Sequence, residues 1–244
     1  MSTLEALLLE NDVTLENRRN GQDRALGREA ITKLIGNNFE SFDPIRRHLI
    51  NGTDLPETED PIRDKLLNEL LLAKMIRPKS IHKFEFSASK SRSYLEGIWL
   101  EEYVWFAMRE ANADEAYFGQ HIWIQQNQLR EIDCIARRGD QLVFVSCKCF
   151  RPYLLDRHRE RRVIMLQDAI EEIDFFVQYF SKSTLRVGLV VSVDLIDELN
   201  GMKPRYPCLQ EQANQLNVTL IGGDHLAFSH LTSRLAKLLR HKAS

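Results

Sequence analysis

The chain contains no C-x-x-C pair, and its four cysteines (Cys134, Cys147, Cys149, Cys208) have no matching histidine pair. That pattern excludes a zinc ribbon or finger and fits reduced thiols rather than a disulfide framework. Long hydrophobic runs are missing as well: no stretch reaches the roughly 18 uncharged apolar residues needed to cross a bilayer. The start, MSTLEALLLEND, lacks the basic n-region and long apolar h-region of a secretory signal. The expectation is a soluble, cytoplasmic chain with no membrane partner. Excess basic charge is also absent. The formal net charge is −2, so no global field draws in a polyanion, and any such contact must come from local patches.

What is present suffices for a sizeable core in one or two domains, since 43% of the 244 residues are hydrophobic. Residues 1 to about 80 read as helical. Ser2 and Glu5 have capping-box spacing, and Asp43-Pro44 and Asp60-Pro61 each offer an N-cap followed by proline at the first helical position. Ile62, Leu66, Leu67, Leu70, Leu71 and Met75 fall at helical spacing after the second, and 82–87 alternates as a short strand. From about residue 90 the pattern becomes mixed. A helix is predicted over 94–110 and strands near 121–126, 131–137 and 141–149. A long helix follows over 162–180, with Ile164, Ile170, Ile173, Val177 and Phe180 for its buried side. A valine-rich strand at 186–193, a helix after Pro207, a strand at 217–221 and a basic helix over 226–240 complete the chain. The predicted division is a helical domain at 1–88 and an α/β domain at 89–244, whose mixed sheet is covered on both faces.

Three short pieces between Gly97 and Lys148 carry the chemistry. Gly97-Ile98-Trp99-Leu100-Glu101 opens a helix, Glu131-Ile132-Asp133 starts a strand, and Ser146-Cys147-Lys148 ends the next one. Side chains alternate along a strand, so Leu142, Phe144, Ser146 and Lys148 share one face and Val143, Val145, Cys147 and Cys149 the other. Glu131 and Asp133 likewise share a face. Arg138-Gly139-Asp140 reads as a tight turn, which makes these strands an antiparallel hairpin with Asp133 beside Phe144 or Ser146. Two acids, a hydroxyl and an ammonium then cluster. Hard Mg²⁺ or Mn²⁺ prefers such oxygen ligands, and an ion held by Asp133 and a second acid would polarise a phosphodiester and acidify a bound water. Lys148 would offset charge developing on the phosphate oxygens. Glu102 could be the active acid instead of Glu101, but the motif phase favours Glu101. Cys147 and Cys149 read as core thiols.

The series GxWLEEYV, then E-[IL]-D, then an alternating strand ending in C-K, resembles the nuclease domain of CRISPR-associated CARF effectors. Those are PD-(D/E)xK nucleases activated by cyclic oligoadenylate, and LNVTLIGGDHL is similar to the late strand and turn of that domain. The resemblance covers residues 60 to 235. It implies a restriction-endonuclease-like α/β fold and a metal-dependent endonuclease acting on DNA or RNA in prokaryotic defence. Under it Glu101, Asp133 and Lys148 become helix acid, metal ligand and catalytic lysine. Two departures stand out. Ser146 replaces the usual acid of E-x-K, with Glu131 on the correct face to compensate, and residues 1–80 lack the leading strand of a CARF sensor. A competing reading is therefore a catalytically weakened nuclease fold that binds nucleic acid or a protein partner within a larger assembly.

Downstream, RPYLLDRHRERR places Arg151, Arg157, Arg159, Arg161 and Arg162 immediately after the site strand. They read either as a solvated face or as contacts to the phosphate backbone, with Gln167 following on the helix. The N-terminal segment also has two readings. One is a winged-helix-like module, with 60–76 as helix and 81–88 as wing, meeting nucleic acid through Arg77, Lys79 and Lys83. The other is a surface for a homodimer or protein partner within residues 1–88, because the leucine-rich face at 62–75 must be buried.

Overall fold

The computed structural model describes residues 3–16, 21–150, 159–180, 185–197 and 201–240, with the backbone alone at 159–161. In chain order these form α1 (Leu4–Leu9), β1 (Val13–Glu16), α2 (Gln22–Leu26), α3 (Glu29–Asn37), α4 (Phe39–Asn51), α5 (Pro61–Leu72), β2 (Ile76–Ser80), β3 (Lys83–Phe86) and α6 (Ser89–Ser93). One turn of π-helix, Tyr94–Ile98, leads into α7 (Trp99–Glu110). There follow β4 (Glu115–Ile124), β5 (Gln128–Arg138), β6 (Gln141–Lys148), α8 (Arg159–Tyr179), β7 (Leu185–Val191), β8 (Ile196–Asp197), β9 (Lys203–Pro204), α9 (Pro207–Gln215), β10 (Val218–Ile221) and α10 (Phe228–Leu239).

Six strands form one mixed sheet in the order β1-β4-β5-β6-β7-β10. The β1-β4, β4-β5 and β5-β6 pairs are antiparallel, whereas β6-β7 and β7-β10 are parallel. The parallel strands need helical crossovers, which α8 and α9 supply. These two helices cover one face through Leu166, Ala169, Ile170, Ile173, Leu209 and Ala213 against Val187, Leu189 and Val191. The other face, with Ala136, Val143, Val145 and Val190, packs against α7 and α10. The valine-rich β7 is buried on both sides, as a parallel central strand requires. Within α8, Ile164 is exposed rather than buried. The inward stripe instead steps from Leu166 through Ile170 and Ile173 to Phe176 and Phe180.

Residues 1–88 depart from the all-helical expectation. Val13–Glu16 is a strand that pairs antiparallel with Ile124 to His121, so the N-terminal segment supplies an edge of the main sheet. α1 is capped by Thr3, whose hydroxyl accepts the Ala6 N–H at 3.2 Å, while Ser2, the expected cap, lies outside the described residues. Asp60-Pro61 caps α5 as expected: the carboxylate accepts the Ile62 N–H at 2.9 Å. Asp43-Pro44 does not, because α4 has already begun at Phe39 and Asp43 is buried inside it, paired with Arg46 and Arg47. α5 is followed by a β2-β3 hairpin. One core joins Phe42, Leu66, Leu70 and Met75 to Trp99, Tyr103 and the sheet, so packing runs unbroken across residue 88.

α3 and α7 approach most closely at Gly36, where an added Cβ would stand 2.3 Å from the Tyr103 ring. Tyr103 is held there, since its hydroxyl donates to Leu226 C=O at 2.7 Å. Gly36→Ala is therefore expected to destabilise the protein by about 1–3 kcal/mol through overpacking, read as a lower urea midpoint with an unchanged slope.

Candidate active site at a fork in the sheet

β5 and β6 pair only from Arg138↔Gln141 to Cys134↔Val145. Beyond that point β5 stays with β4 to Gln128, while β6 stays with β7 to Lys148. The sheet forks, and Asp133 sits at the opening. Its Oδ2 accepts the backbone N–H of Cys147 at 2.6 Å and the Ser146 hydroxyl at 3.2 Å. A side chain thus satisfies a strand N–H that the parted ladder leaves available. Asp133 lies opposite Ser146, not Phe144. Lys148 Nζ is 4.0 Å from the same carboxylate oxygen and 3.8 Å from Glu172 Oε2 on α8. Glu172 and Phe176 form the α8 wall of this opening beside Glu131 and Asp133.

Glu101 enters from the first turn of α7, with its Oε2 3.8 Å from where a Cβ on Gly119 would stand. Burial, and then the charges of Asp133 and Glu131, push its carboxyl up to about 8, against the pull of Lys148. Glu102 faces elsewhere: fully buried, it pairs with Arg28 and meets Thr32. Of the two acids, Glu101 is the one that lies with Asp133, Glu131 and Lys148. Glu131 is exposed and lies opposite His121 across β4-β5.

The π-helical turn and the strand carrying Lys148 are tied together from below by Arg46. This guanidinium, 2% exposed, donates to Glu96 C=O at 3.2 Å, Cys149 Sγ at 2.8 Å, Phe150 C=O at 3.0 Å and Asp43. Cys149 is thus a thiol packed behind the site, with burial pushing its pKa up. The Cys147 thiol is likewise pushed well up by burial, which suits inert core sulfur on the face away from the fork.

Could these residues hold a divalent ion? The donors are the oxygens that Mg²⁺ or Mn²⁺ prefers, and the mutual repulsion felt at Glu101 is what a cation would relieve. Among the described residues, no group of three His, Cys, Asp or Glu side chains is drawn tightly enough to form a closed cage. Mg²⁺ commonly uses one or two carboxylates plus water and substrate phosphate, so an open pair, Asp133 with Glu101, fits that mode.

The flanking contacts distribute differently from expectation. Arg151 and Arg157 lie outside the described residues, as do the side chains of Arg159 and Arg161. Arg162 is not at the fork; its Nη1 lies 3.4 Å from the Tyr206 hydroxyl, in a separate cleft. Gln167 is exposed and does not line the fork. Glu172 takes that place, because five residues along a helix turn roughly 140° about its axis. Glu172 and Arg46 were missed. Only the pairing of α8 with the fork singles out Glu172, whereas Arg46 carried a weak sign in the Asp-Pro-Ile-Arg that mimics a helix start.

Two outcomes are expected. Arg46→Met should cost about 1–3 kcal/mol, since it leaves the fully buried Asp43 to Arg47 alone and takes the donor from the Glu96 and Phe150 carbonyls, and adding Asp43→Leu should recover part of the loss in chemical denaturation. Glu101, whose folded pKa is raised, contributes stability that is full below its ordinary value of 4.5 and is lost as pH rises through about 8. Glu101→Gln should therefore raise the melting temperature above pH 8 and change it little near pH 4.5. Equal effects at both pH values would remove the electrostatic account.

No protein-family model matches the chain, and no curated protein matches it by sequence. Solved structures do match. Protein VC1899 from Vibrio cholerae superposes with a TM-score of 0.65 at 17% identity, over 96% of this chain and 62% of that one. Can2 from Sulfobacillus thermosulfidooxidans, determined in complex with cyclic tetra-adenylate, gives 0.58 at 16% identity, over 98% and 62%. The chain thus spans about 62% of the length of either protein and shares their fold.

Proposed function

We propose that the protein is a metal-dependent nuclease of the PD-(D/E)xK type that hydrolyses phosphodiester bonds in DNA or RNA in prokaryotic defence. The observation that carries this reading is the convergence of Asp133, Ser146, Lys148 and Glu101 on the fork, in the order and on the elements of the motif. The six-stranded mixed sheet supports it, as does likeness in fold to a protein determined in complex with cyclic tetra-adenylate. Charge supports the metal. Glu101, Glu131, Asp133 and Glu172 outnumber Lys148 at the opening, so a phosphate would be repelled unless a cation intervened.

Asp133 and Glu101 would hold Mg²⁺ or Mn²⁺, whose chemistry here is to polarise the phosphate and lower the pKa of a bound water. Asp133 is pre-positioned by the Cys147 N–H and keeps its orientation without substrate. Lys148, between Asp133 and Glu172, would offset charge on the phosphate oxygens as the attacking water oxygen bonds to phosphorus and the bond from phosphorus to the sugar oxygen breaks, that oxygen leaving with a proton from solvent. Burial holds Glu101 partly protonated near neutral pH, so its proton would be displaced on metal binding. Ser146 supplies a hydroxyl where an acid is usual.

A second reading is favoured by one contact. The Ser146 hydroxyl already satisfies Asp133, which suits a fork that persists without metal in a subunit that binds nucleic acid or a protein without cutting. Cleavage of plasmid, single-stranded DNA and RNA with Mn²⁺ separates the two. Wild-type protein is expected to cut, and Asp133→Ala and Lys148→Ala to lose at least about a hundredfold in rate while keeping the wild-type melting transition. If Glu131 compensates for Ser146, Glu131→Gln will cost more activity than Ser146→Ala. Nucleic acid bound but uncut by wild type would establish the second reading.

A further inference from the structure

A cleft of ≈ 530 Å³ lies away from the fork, at the carboxyl ends of the parallel strands β7 and β10, closed on one side by α3 and the start of α4. Crevices outside the carboxyl ends of parallel strands are where α/β sheets characteristically take ligands. Its volume falls within the range of small-molecule sites. The lining is mixed in sign: Arg162 and Arg205 share it with Asp194, Asp224 and the exposed Glu40, and with the buried Tyr206.

The two carboxylates are built in by backbone. A Cβ on Gly223 would stand 2.7 Å from Asp194 Oδ1, and one on Gly222 2.7 Å from Asp224 Oδ1. The Gly223 N–H donates to Val193 C=O at 2.8 Å, clamping the β10 turn onto the segment that carries Asp194. Only a glycine pair lets both acids lie against the turn. Arg205 is held likewise, with its Nε donating to Ile196 C=O at 3.0 Å. Tyr206 meets Arg162. The cleft is also linked to the fork: the Ser192 N–H in its wall donates to Lys148 C=O at 3.1 Å. Arg162 and Glu172, ten residues apart on α8, are separated by roughly 15 Å, the span of a few nucleotides.

We propose that this cleft is a nucleotide-binding subsite, with phosphate oxygens on Arg162 and Arg205 and the amino or imino donors of a base on Asp194 and Asp224. A ligand of one charge sign would leave two or three of these five charged groups opposed, whereas a nucleotide carries an anion at one end and hydrogen-bond donors at the other. The shared chemistry allows two sources, a nucleotide of a strand whose phosphate occupies the fork or a free mononucleotide. The first rests on the nuclease reading; the second does not.

Calorimetric titration of the Asp133→Ala protein separates them, with a short single-stranded oligonucleotide of mixed sequence and the four nucleoside monophosphates as probes. The strand is expected to bind, and Arg205→Gln with Asp194→Asn to weaken it about tenfold or more. Gly223→Ala, which keeps every charge but crowds Asp194, is expected to act in the same direction, with all variants retaining a cooperative melt. Monophosphates that bind and show the same loss would identify a free nucleotide as the occupant. Unchanged strand and monophosphate affinities in both cleft variants, or no binding of any probe to the parent, would overturn the proposal. If wild type fails to cut while the cleft variants still weaken binding, the nuclease reading falls and the subsite stands. Cutting by wild type with binding indifferent to the cleft would do the reverse.

Discussion

Much of this structure hangs on one buried cation. Arg46 sits on α4, in the segment that precedes the α/β pattern, yet it bonds to the π-helical turn ahead of Glu101 and to the two residues that follow Lys148. A guanidinium so far from water is tolerable only when its donors are met, and here Asp43, two carbonyls and a thiol meet them. The result is a rigid cross-tie. The helix that carries one site residue and the strand that carries another share a common anchor, so their relative placement depends on the N-terminal helices.

Around that anchor the sheet has two halves of different character. The antiparallel half, β1-β4-β5, is built of hairpins and edges, while the parallel half, β6-β7-β10, is built of crossovers and buried valines. They separate where Asp133 replaces a ladder bond with a side-chain one. Such a fork concentrates carboxylates, because β5, α7 and α8 each deliver an acid to one opening. The resulting repulsion appears at Glu101, which burial and its neighbours keep protonated to about pH 8. An arrangement that opposes its own charges has a use if a cation joins it. The parallel half then offers a second crevice, at its carboxyl ends, with a different mixture of charges.

Local pattern made a good part of this legible. In EIDCIA, Ile132 packs with Ile135 and Phe176 and not, as alternation expects, with Cys134 and Ala136. Alternation in LVFVSCK set Leu142 and Phe144 apart from Val143 and Val145, the turn at Arg138-Gly139-Asp140 made the hairpin, and Asp60-Pro61 opened a helix. These succeed because strand alternation and helix capping are decided within a few residues. Asp43-Pro44 has the same local appearance and a different fate. α4 has already begun at Phe39, so Asp43 stands in its interior and pairs with Arg46 and Arg47 one turn on. Val13–Glu16 is too short to show a period, and only its partner strand makes it β. Ile164 and Gln167 were misplaced because the phase of α8 is set by the sheet beneath it.

The sequence by itself determined the mixed α/β class, the order of helix acid, strand acid and strand lysine, and the faces those residues occupy. Each follows from periodicity along a single segment. Only the tertiary structure decided that the N-terminal segment completes the sheet, that Glu172 joins the opening, and that Arg46 ties α4 to both site elements. It also placed Arg162 beside Arg205, Asp194 and Asp224 in a separate cleft. These are meetings between segments tens to hundreds of residues apart. They are set by which buried groups must find partners and which apolar faces must close, constraints that no local window contains.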